Sequence, residues 1–155
     1  MERILFVCLG NICRSPTAHA VFRHLAQIEN VDVEVESAGT SAYHEGAKPD
    51  SRSQAVGDKR GYNFAGISSR KIRTSDFEDY DLILAMDKEN LANLMKKCPE
   101  HLQAKVKLML EFSDKFGEFE EVPDPYYGGA AGFELVLDMI EDASVGLLRY
   151  IKQTP

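Results

Sequence analysis

Cys8 and Arg14 stand six residues apart in the run Cys8-Leu9-Gly10-Asn11-Ile12-Cys13-Arg14-Ser15. A thiolate is a strong nucleophile, and a guanidinium six residues further along a curled loop can fold back to grip two oxygens of a tetrahedral anion in bidentate fashion. Between them, Leu9, Gly10, Asn11, Ile12 and Cys13 supply successive backbone N–H groups. A tightly wrapped loop aims several of these inward, and a helix starting after it adds the positive end of its dipole. The product is a cradle for a dianion such as phosphate, with Cys8 at its base. Gly10 and Asn11 are residue types that accept the positive φ such curvature needs. The field that holds the anion also favours thiolate over thiol, since a free cysteine of pKa ~8.5 drops to ~3.5–7.5 near helix N-termini and cations. Ser15 can donate a hydrogen bond to the sulfur when it acts as a leaving group. A buried structural cysteine before a generic anion-binding turn would share some of these features. An ATPase phosphate loop is excluded, because no Gly-Lys-Ser/Thr follows.

The elements on either side must place this loop. Residues 3–8 form a continuous apolar run without helical period, as expected of a strand buried on both faces. Ser15 at an N-cap and Pro16 at the first helical position, followed by Ala18, Val21, Phe22 and Leu25, predict a helix. Residues 31–36 alternate apolar with acidic and predict an edge strand. A long loop over 38–50 precedes a helix over 50–60 that Gly61 stops. Residues 81–86 predict a second buried strand, 87–97 a helix capped by Asp87 and ended by Pro99, and 105–110 a fourth short strand. Phe133, Leu135, Val136, Met139, Ile140, Ala143, Leu147 and Tyr150 mark a long amphipathic C-terminal helix. Strands alternating with helices predict an α/β fold, a four-stranded parallel sheet with helices on both faces. Ligands bind beyond the carboxyl ends of such strands, where the Cys8 loop falls.

The chain has 155 residues, 44% of them apolar and 28% charged, which suits one globular domain over 1–155. No apolar run approaches the ~20 residues of a membrane span, so no membrane partner and a cytoplasmic location are expected. Three cysteines make no disulfide scaffold. A net charge of −7 gives nucleic-acid binding no electrostatic support. The four histidines, His19, His24, His44 and His101, lack metal-ligand spacing, and no metal or other cofactor is expected.

The run over residues 5–18 resembles the signature loop of the low-molecular-weight protein tyrosine phosphatases, and the resemblance extends through Ser37-Ala38-Gly39 and Ala85-Met86-Asp87 to Asp124-Pro125-Tyr126-Tyr127. It implies a phosphotyrosine phosphatase I-like fold, with Cys8 as nucleophile, Arg14 as phosphate clamp and Asp124 as general acid. An Asp on a mobile segment fits the chemistry in its own right, since a departing phenolate needs a proton and the attacking water later needs a base. Asp-Pro in a glycine-rich loop is otherwise a turn former. Tyr126 and Tyr127 would wall a phenyl ring, although Tyr127 equally suits loop packing. The resemblance also implies that Asn11 and Ser37 support the loop, and that Tyr43 lines the substrate mouth unless it is merely an exposed loop aromatic. Relatives carry a His where this chain has Ile67, so its pairing with the Asp matching Asp87 is expected to be missing, leaving Asp87 as a helix cap.

The implied substrate is a phosphotyrosine protein, with inorganic phosphate or vanadate as competing ligands. Two rivals share the fold. Thiol-dependent arsenate reductases need further cysteines near residue 85, where Ala85 and Met86 stand. Phosphoarginine phosphatases carry Thr at the position of the bulky Ile12. The cluster Ser69-Arg70-Lys71-Ile72-Arg73 reads as a solvated basic turn, or as a device for steering anionic peptides, and Cys98 as a bystander. Cys13 is either a small buried hydrophobe or the partner of Cys8 in a reversible disulfide shielding the nucleophile. Peptide mass mapping after peroxide treatment is expected to find a Cys8 to Cys13 crosslink; its absence would remove the disulfide.

Overall fold

The computed structural model describes residues 2–41, 43–126 and 129–153. Strand β1, Glu2–Cys8, runs through the middle of a four-stranded sheet. It leads into helix α1, Arg14–Ile28, and then into strand β2, Val33–Gly39. Helix α2, Ser51–Lys59, and the single turn α3, Asp76–Asp79, precede strand β3, Leu82–Ala85. Helix α4, Lys88–Lys97, strand β4, Val106–Leu108, and helix α5, Ala130–Gln153, complete the order. All strand pairs are parallel, and the spatial order is β2-β1-β3-β4. The chain leaves β1 toward one side and crosses to the other after β2, so the sheet switches direction between β1 and β3. In sheets of this kind a crevice opens at that switch, beyond the carboxyl ends of the two strands.

β1 is apolar throughout because both faces are covered. Ile4 and Phe6 point into one cluster with Val21 and Phe22 of α1 and Val136, Ile140 and Leu147 of α5. Leu5 and Val7 point into a second with Phe77 of α3, Ile83 of β3 and Leu94 of α4. The predicted parallel sheet with helices on both faces is present. β2 is an edge strand as expected, but it begins two residues later than predicted and continues to Gly39, which lies beside Cys8 in the register. That extension brings the carboxyl end of β2 up against the loop after β1.

Other boundaries shifted for local reasons. The apolar stretch after residue 105 pairs only over Val106–Leu108 and then tightens into a 3₁₀ turn, Met109–Phe112, so it is not the strand to residue 110 that its pattern predicts. α1 begins at Arg14, with Cys13 rather than Ser15 at the N-cap. The Ser15 hydroxyl is occupied with Cys8 and Asn11, and cannot cap. α2 starts as expected, with the Asp50 carboxylate accepting from the Arg52 amide, and Gly61 follows it at φ 87°. Arg60, just past its end, reaches Glu134, Asp138 and Glu141 on α5. These carboxylates lie about one helical turn apart, so a single guanidinium ties α2 to α5 by a network rather than one weak exposed pair.

α5 crosses the 3₁₀ turn at Gly146, where an added Cβ would lie 1.7 Å from the Phe112 carbonyl oxygen. Alanine gains about 1 kcal/mol of helix propensity over glycine, but overpacking of a fixed backbone contact costs more, about 1–3 kcal/mol or beyond. Gly146→Ala is expected to lower the urea midpoint by an amount equivalent to about 2 kcal/mol, and an unchanged midpoint would show that the crossing is not tight.

Candidate active site

The loop after β1 turns five of its carbonyl oxygens outward to donors beyond it. Cys8 accepts from the Thr40 amide at 3.0 Å and Leu9 from the Ser41 amide at 2.9 Å. Gly10 accepts from the Ser69 hydroxyl at 2.9 Å and Ile12 from the Asp50 amide at 2.7 Å. Cys13 accepts from the Thr17 hydroxyl at 2.7 Å. In a trans peptide unit the carbonyl and the next N–H point in opposite directions. Outward carbonyls at 8, 9, 10, 12 and 13 therefore turn the amides of Leu9, Gly10, Asn11, Cys13 and Arg14 inward, toward the space above Cys8. The end of β2 presses close here, since a Cβ on Gly39 would sit 2.8 Å from the Leu9 oxygen.

Asn11 takes the left-handed conformation, φ 56°, as its type allows. Gly10, by contrast, does not take a positive φ. Its lack of a side chain instead leaves room for His44, whose Cδ2 would lie 2.9 Å from a Cβ. Behind the loop a chain of hydrogen bonds has one consistent direction. The Arg70 amide donates to Asn11 Oδ1 at 3.0 Å, which orients Asn11 Nδ2 to donate to Ser15 Oγ at 2.7 Å. Ser15 has one proton to give, and Cys8 Sγ at 3.0 Å is nearer to it than the Ala38 carbonyl at 3.4 Å. Each link polarises the next toward the sulfur.

Arg14 is 3% exposed, an unusual place for a guanidinium. Its Nη1 donates to Asp87 Oδ2 at 2.6 Å and to the Val122 carbonyl at 2.9 Å, and its Nη2 lies 3.7 Å from Asp124 Oδ2. Burial opposes its charge, but the negative charges of Cys8, Asp87 and Asp124 prevail, and Arg14 is held more firmly protonated than usual. Asp87 thus does two things: Oδ1 caps α4 through the Asn90 amide at 2.7 Å, and Oδ2 buttresses Arg14. The expectation that Asp87 is only a helix cap is corrected. Its partner is the arginine itself, while Ile67 is buried in the core on the α1 and α5 face of the sheet.

Asp124 is more exposed, at 36% of its side chain, with Oδ1 accepting from the Tyr126 amide at 3.0 Å. A cavity of about 150 Å³ is lined by Cys8, Leu9, Gly10, Ile12, Cys13, Arg14, Tyr43, His44, Asp124 and Tyr126. It therefore gathers most of the residues singled out from the sequence. Tyr43 stands at its rim, 88% exposed. Asn11 and Ser15 lie buried behind it, and Tyr127 lies outside the described residues. The Ser37 hydroxyl is 3.0 Å from His19 Nδ1, joining β2 to α1. Burial, with the Asp50 and Cys8 charges nearby, pushes the Cys13 thiol up to about 12, so it lines the cavity as a neutral thiol.

Several supporting residues escaped the sequence reading. The cluster over 69–73 is not a solvated turn: Ser69 and Arg70 anchor the loop, Arg70 makes a bidentate pair with the buried Asp76 at 2.9 and 3.1 Å, and Ile72 is in the core. His44 and Arg52 carry no spacing signal, because Tyr126, which both approach, lies more than 70 residues further along the chain; Asp76 is only six positions from Arg70, but nothing in that spacing shows that the pair is buried. Among the described residues no group of His, Cys, Asp and Glu has the arrangement to hold a metal, and no helix is long and apolar enough to cross a membrane.

The family profile described as low molecular weight phosphotyrosine protein phosphatase matches residues 3–154. The chain belongs to that family. A low molecular weight protein-tyrosine-phosphatase of Streptomyces coelicolor is 43% identical, over 97% of this chain and 94% of its own. A solved protein tyrosine phosphatase from Entamoeba histolytica, with Hepes in its active site, superposes with a TM-score of 0.94 at 44% identity, covering 99% of this chain and 98% of the other. A Drosophila arginine phosphatase has the same fold, with a TM-score of 0.90 at 32% identity over the whole of both chains.

His19 offers a test of the packing behind the loop. Burial, aided by the Arg23 charge, lowers its pKa from 6.5 to about 4. Between those values the unfolded chain binds a proton that the native imidazole refuses, so stability is lost as pH falls through that window. At about 1.4 kcal/mol per pH unit the whole loss is about 3 kcal/mol. Urea unfolding at pH 7 and pH 4.5 is expected to show a clearly smaller loss in His19→Gln than in the parent; equal losses would place the imidazole in water.

Proposed function

We propose that the protein is a protein tyrosine phosphatase that hydrolyses phosphotyrosine, and aryl phosphates generally, through a phosphocysteine on Cys8. One observation carries the reading: Cys8, Arg14 and Asp124 border one small cavity beneath a loop whose inward amides suit a tetrahedral dianion. The phosphoryl group would sit over Cys8 with its equatorial oxygens on those amides and on Arg14. Asp87 and the Val122 carbonyl hold Nη1 of that arginine from behind, so its orientation is set before substrate arrives.

In the first step the Cys8 sulfur attacks phosphorus in line and the bond to the aryl oxygen breaks, while Asp124 delivers a proton to the departing phenolate. In the second, Asp124 takes a proton from water as the water attacks phosphorus, and the S–P bond breaks. Inorganic phosphate and the Cys8 thiolate remain, the latter stabilised by the Ser15 hydroxyl. No metal or cofactor enters this scheme. Leu9, Ile12, Tyr43 and Tyr126 would form the walls for the aromatic ring, and Asn11, Ser15 and Ser37 would keep the loop in shape. Phosphate and vanadate would compete for the same cradle. A single domain over residues 1–155 acting on phosphotyrosine proteins in the cytoplasm goes with this reading.

The rival activities find less support. Cys98 is buried on the α4 side of the sheet, packed with Leu94 and Leu102, and cannot relay a disulfide to Cys8 as arsenate reduction requires. Ile12 lines the cavity with a bulky apolar side chain that favours an aryl group over a guanidinium. Purified protein is expected to hydrolyse p-nitrophenyl phosphate without added metal and to leave arsenate unreduced in the presence of thiol. Cys8→Ser should abolish turnover, and Asp124→Ala should slow it by about 10²-fold, the scale of general acid catalysis. Undiminished hydrolysis by Cys8→Ser would end the proposal.

A further inference from the structure

The segment that bears Asp124 is held at two places. At its start Val122 is fully buried, its amide donating to the Met86 carbonyl at 2.8 Å and its carbonyl accepting from Arg14. At its end Tyr126 rests against Arg52, whose guanidinium carbon lies 5.3 Å from the Tyr126 ring centroid. The other partner of that guanidinium is Phe133 in the first turn of α5, at 4.6 Å. Arg52 is not free to wander, because its Nε and Nη2 donate to the two oxygens of Asp50 at 3.1 and 3.0 Å. Asp50 is in turn anchored to the phosphate loop, its amide donating to the Ile12 carbonyl at 2.7 Å. An unbroken path thus runs from the cradle through Asp50 and Arg52 to Tyr126, whose amide donates to Asp124 Oδ1.

We propose that Arg52 is a positioning residue that latches the Asp124 segment to the phosphate loop and so sets where the proton donor stands. This rests on the reading of Asp124 as general acid. The geometry asks for arginine in particular. A planar guanidinium offers its edge to a carboxylate in bidentate fashion while its faces meet aromatic rings, which a lysine ammonium cannot do. Arg52 does not line the cavity bordered by Cys8, Arg14 and Asp124. Its removal should leave phosphate binding intact and loosen only the acid. A shift of about 1 Å in a catalytic group is enough to cost up to about 10²-fold in rate.

The dependence of rate on the leaving group separates this role from a purely structural one. A dinitrophenolate departs without a proton, whereas phenolate does not, so loss of the acid slows phenyl phosphate far more than dinitrophenyl phosphate. The experiment measures kcat/KM for both esters, with vanadate inhibition alongside, in the parent, Arg52→Ala, Arg52→Lys, Asp124→Ala and the Arg52→Ala/Asp124→Ala double variant. Arg52→Ala is expected to lose about tenfold on phenyl phosphate, to stay within about twofold of the parent on dinitrophenyl phosphate, and to bind vanadate as the parent does. Arg52→Lys should fall between the two.

In the Asp124→Ala background the second substitution should cost nothing more, because both act through one proton. Equal losses on both esters, or full additivity in the double variant, would overturn the latch while leaving Asp124 as the acid. Should Asp124→Ala itself show no preference for the better leaving group, the assignment of the acid fails and the latch fails with it. A variant that loses vanadate binding would show that Arg52 supports the cradle instead.

Discussion

Outward satisfaction of the carbonyl groups in the loop after β1 is the constraint on which everything else in this molecule depends. Five of them accept hydrogen bonds from residues beyond the loop, contributed by the start of the long segment after β2, by the turn at Ser69, by the N-cap of α2 and by the first turns of α1. Left unpaired inside the protein, each would cost about 1–3 kcal/mol. Paired on the outside, they force the intervening amides to face the cavity. An anion site is built in this way from backbone geometry, and it needs no accumulation of positive side chains.

That explains how a chain of net charge −7 can present a site for a dianion. The relevant field is local: inward N–H dipoles, the N-terminus of α1, and one buried arginine. Arg14 illustrates the balance between burial and charge. Desolvation opposes a guanidinium that is only 3% exposed, so it survives only where carboxylates and carbonyls compensate it. Asp87 and Val122 do so through Nη1, and Nη2 lies 3.7 Å from Asp124 Oδ2.

The same few residues couple otherwise separate elements. Asp87 closes the first turn of α4 and orients Arg14; Val122 ties the residue after β3 to the segment that bears Asp124 and also holds Arg14; Asn11 is both a left-handed turn and a relay between Arg70 and Ser15. Because each group serves two partners, the position of the sulfur, the clamp and the carboxylate are set together. The parallel sheet supplies the rigid base for this, since β1 and β3 are buried on both faces and end side by side at the crevice.

Local chemistry made a large part of this legible from the sequence. Unbroken apolar runs at β1 and β3 reveal strands covered on both faces, a 3.6-residue period reveals α5, and a cysteine, a turn and an arginine within seven positions reveal the anion loop, because all of these depend on residues adjacent in the chain. The double role of Asp87, the burial of Arg70 against Asp76, the meeting of His19 with Ser37 and the stacking of Arg52 on Tyr126 left no such trace. Most of these pairs lie far apart in the chain, and Arg70 and Asp76, though near in sequence, meet as a buried pair only through the fold around them. Hydrogen bonds and ring contacts are settled by direction at distances of a few ångströms, and only the folded arrangement of sheet and helices brings those atoms into range.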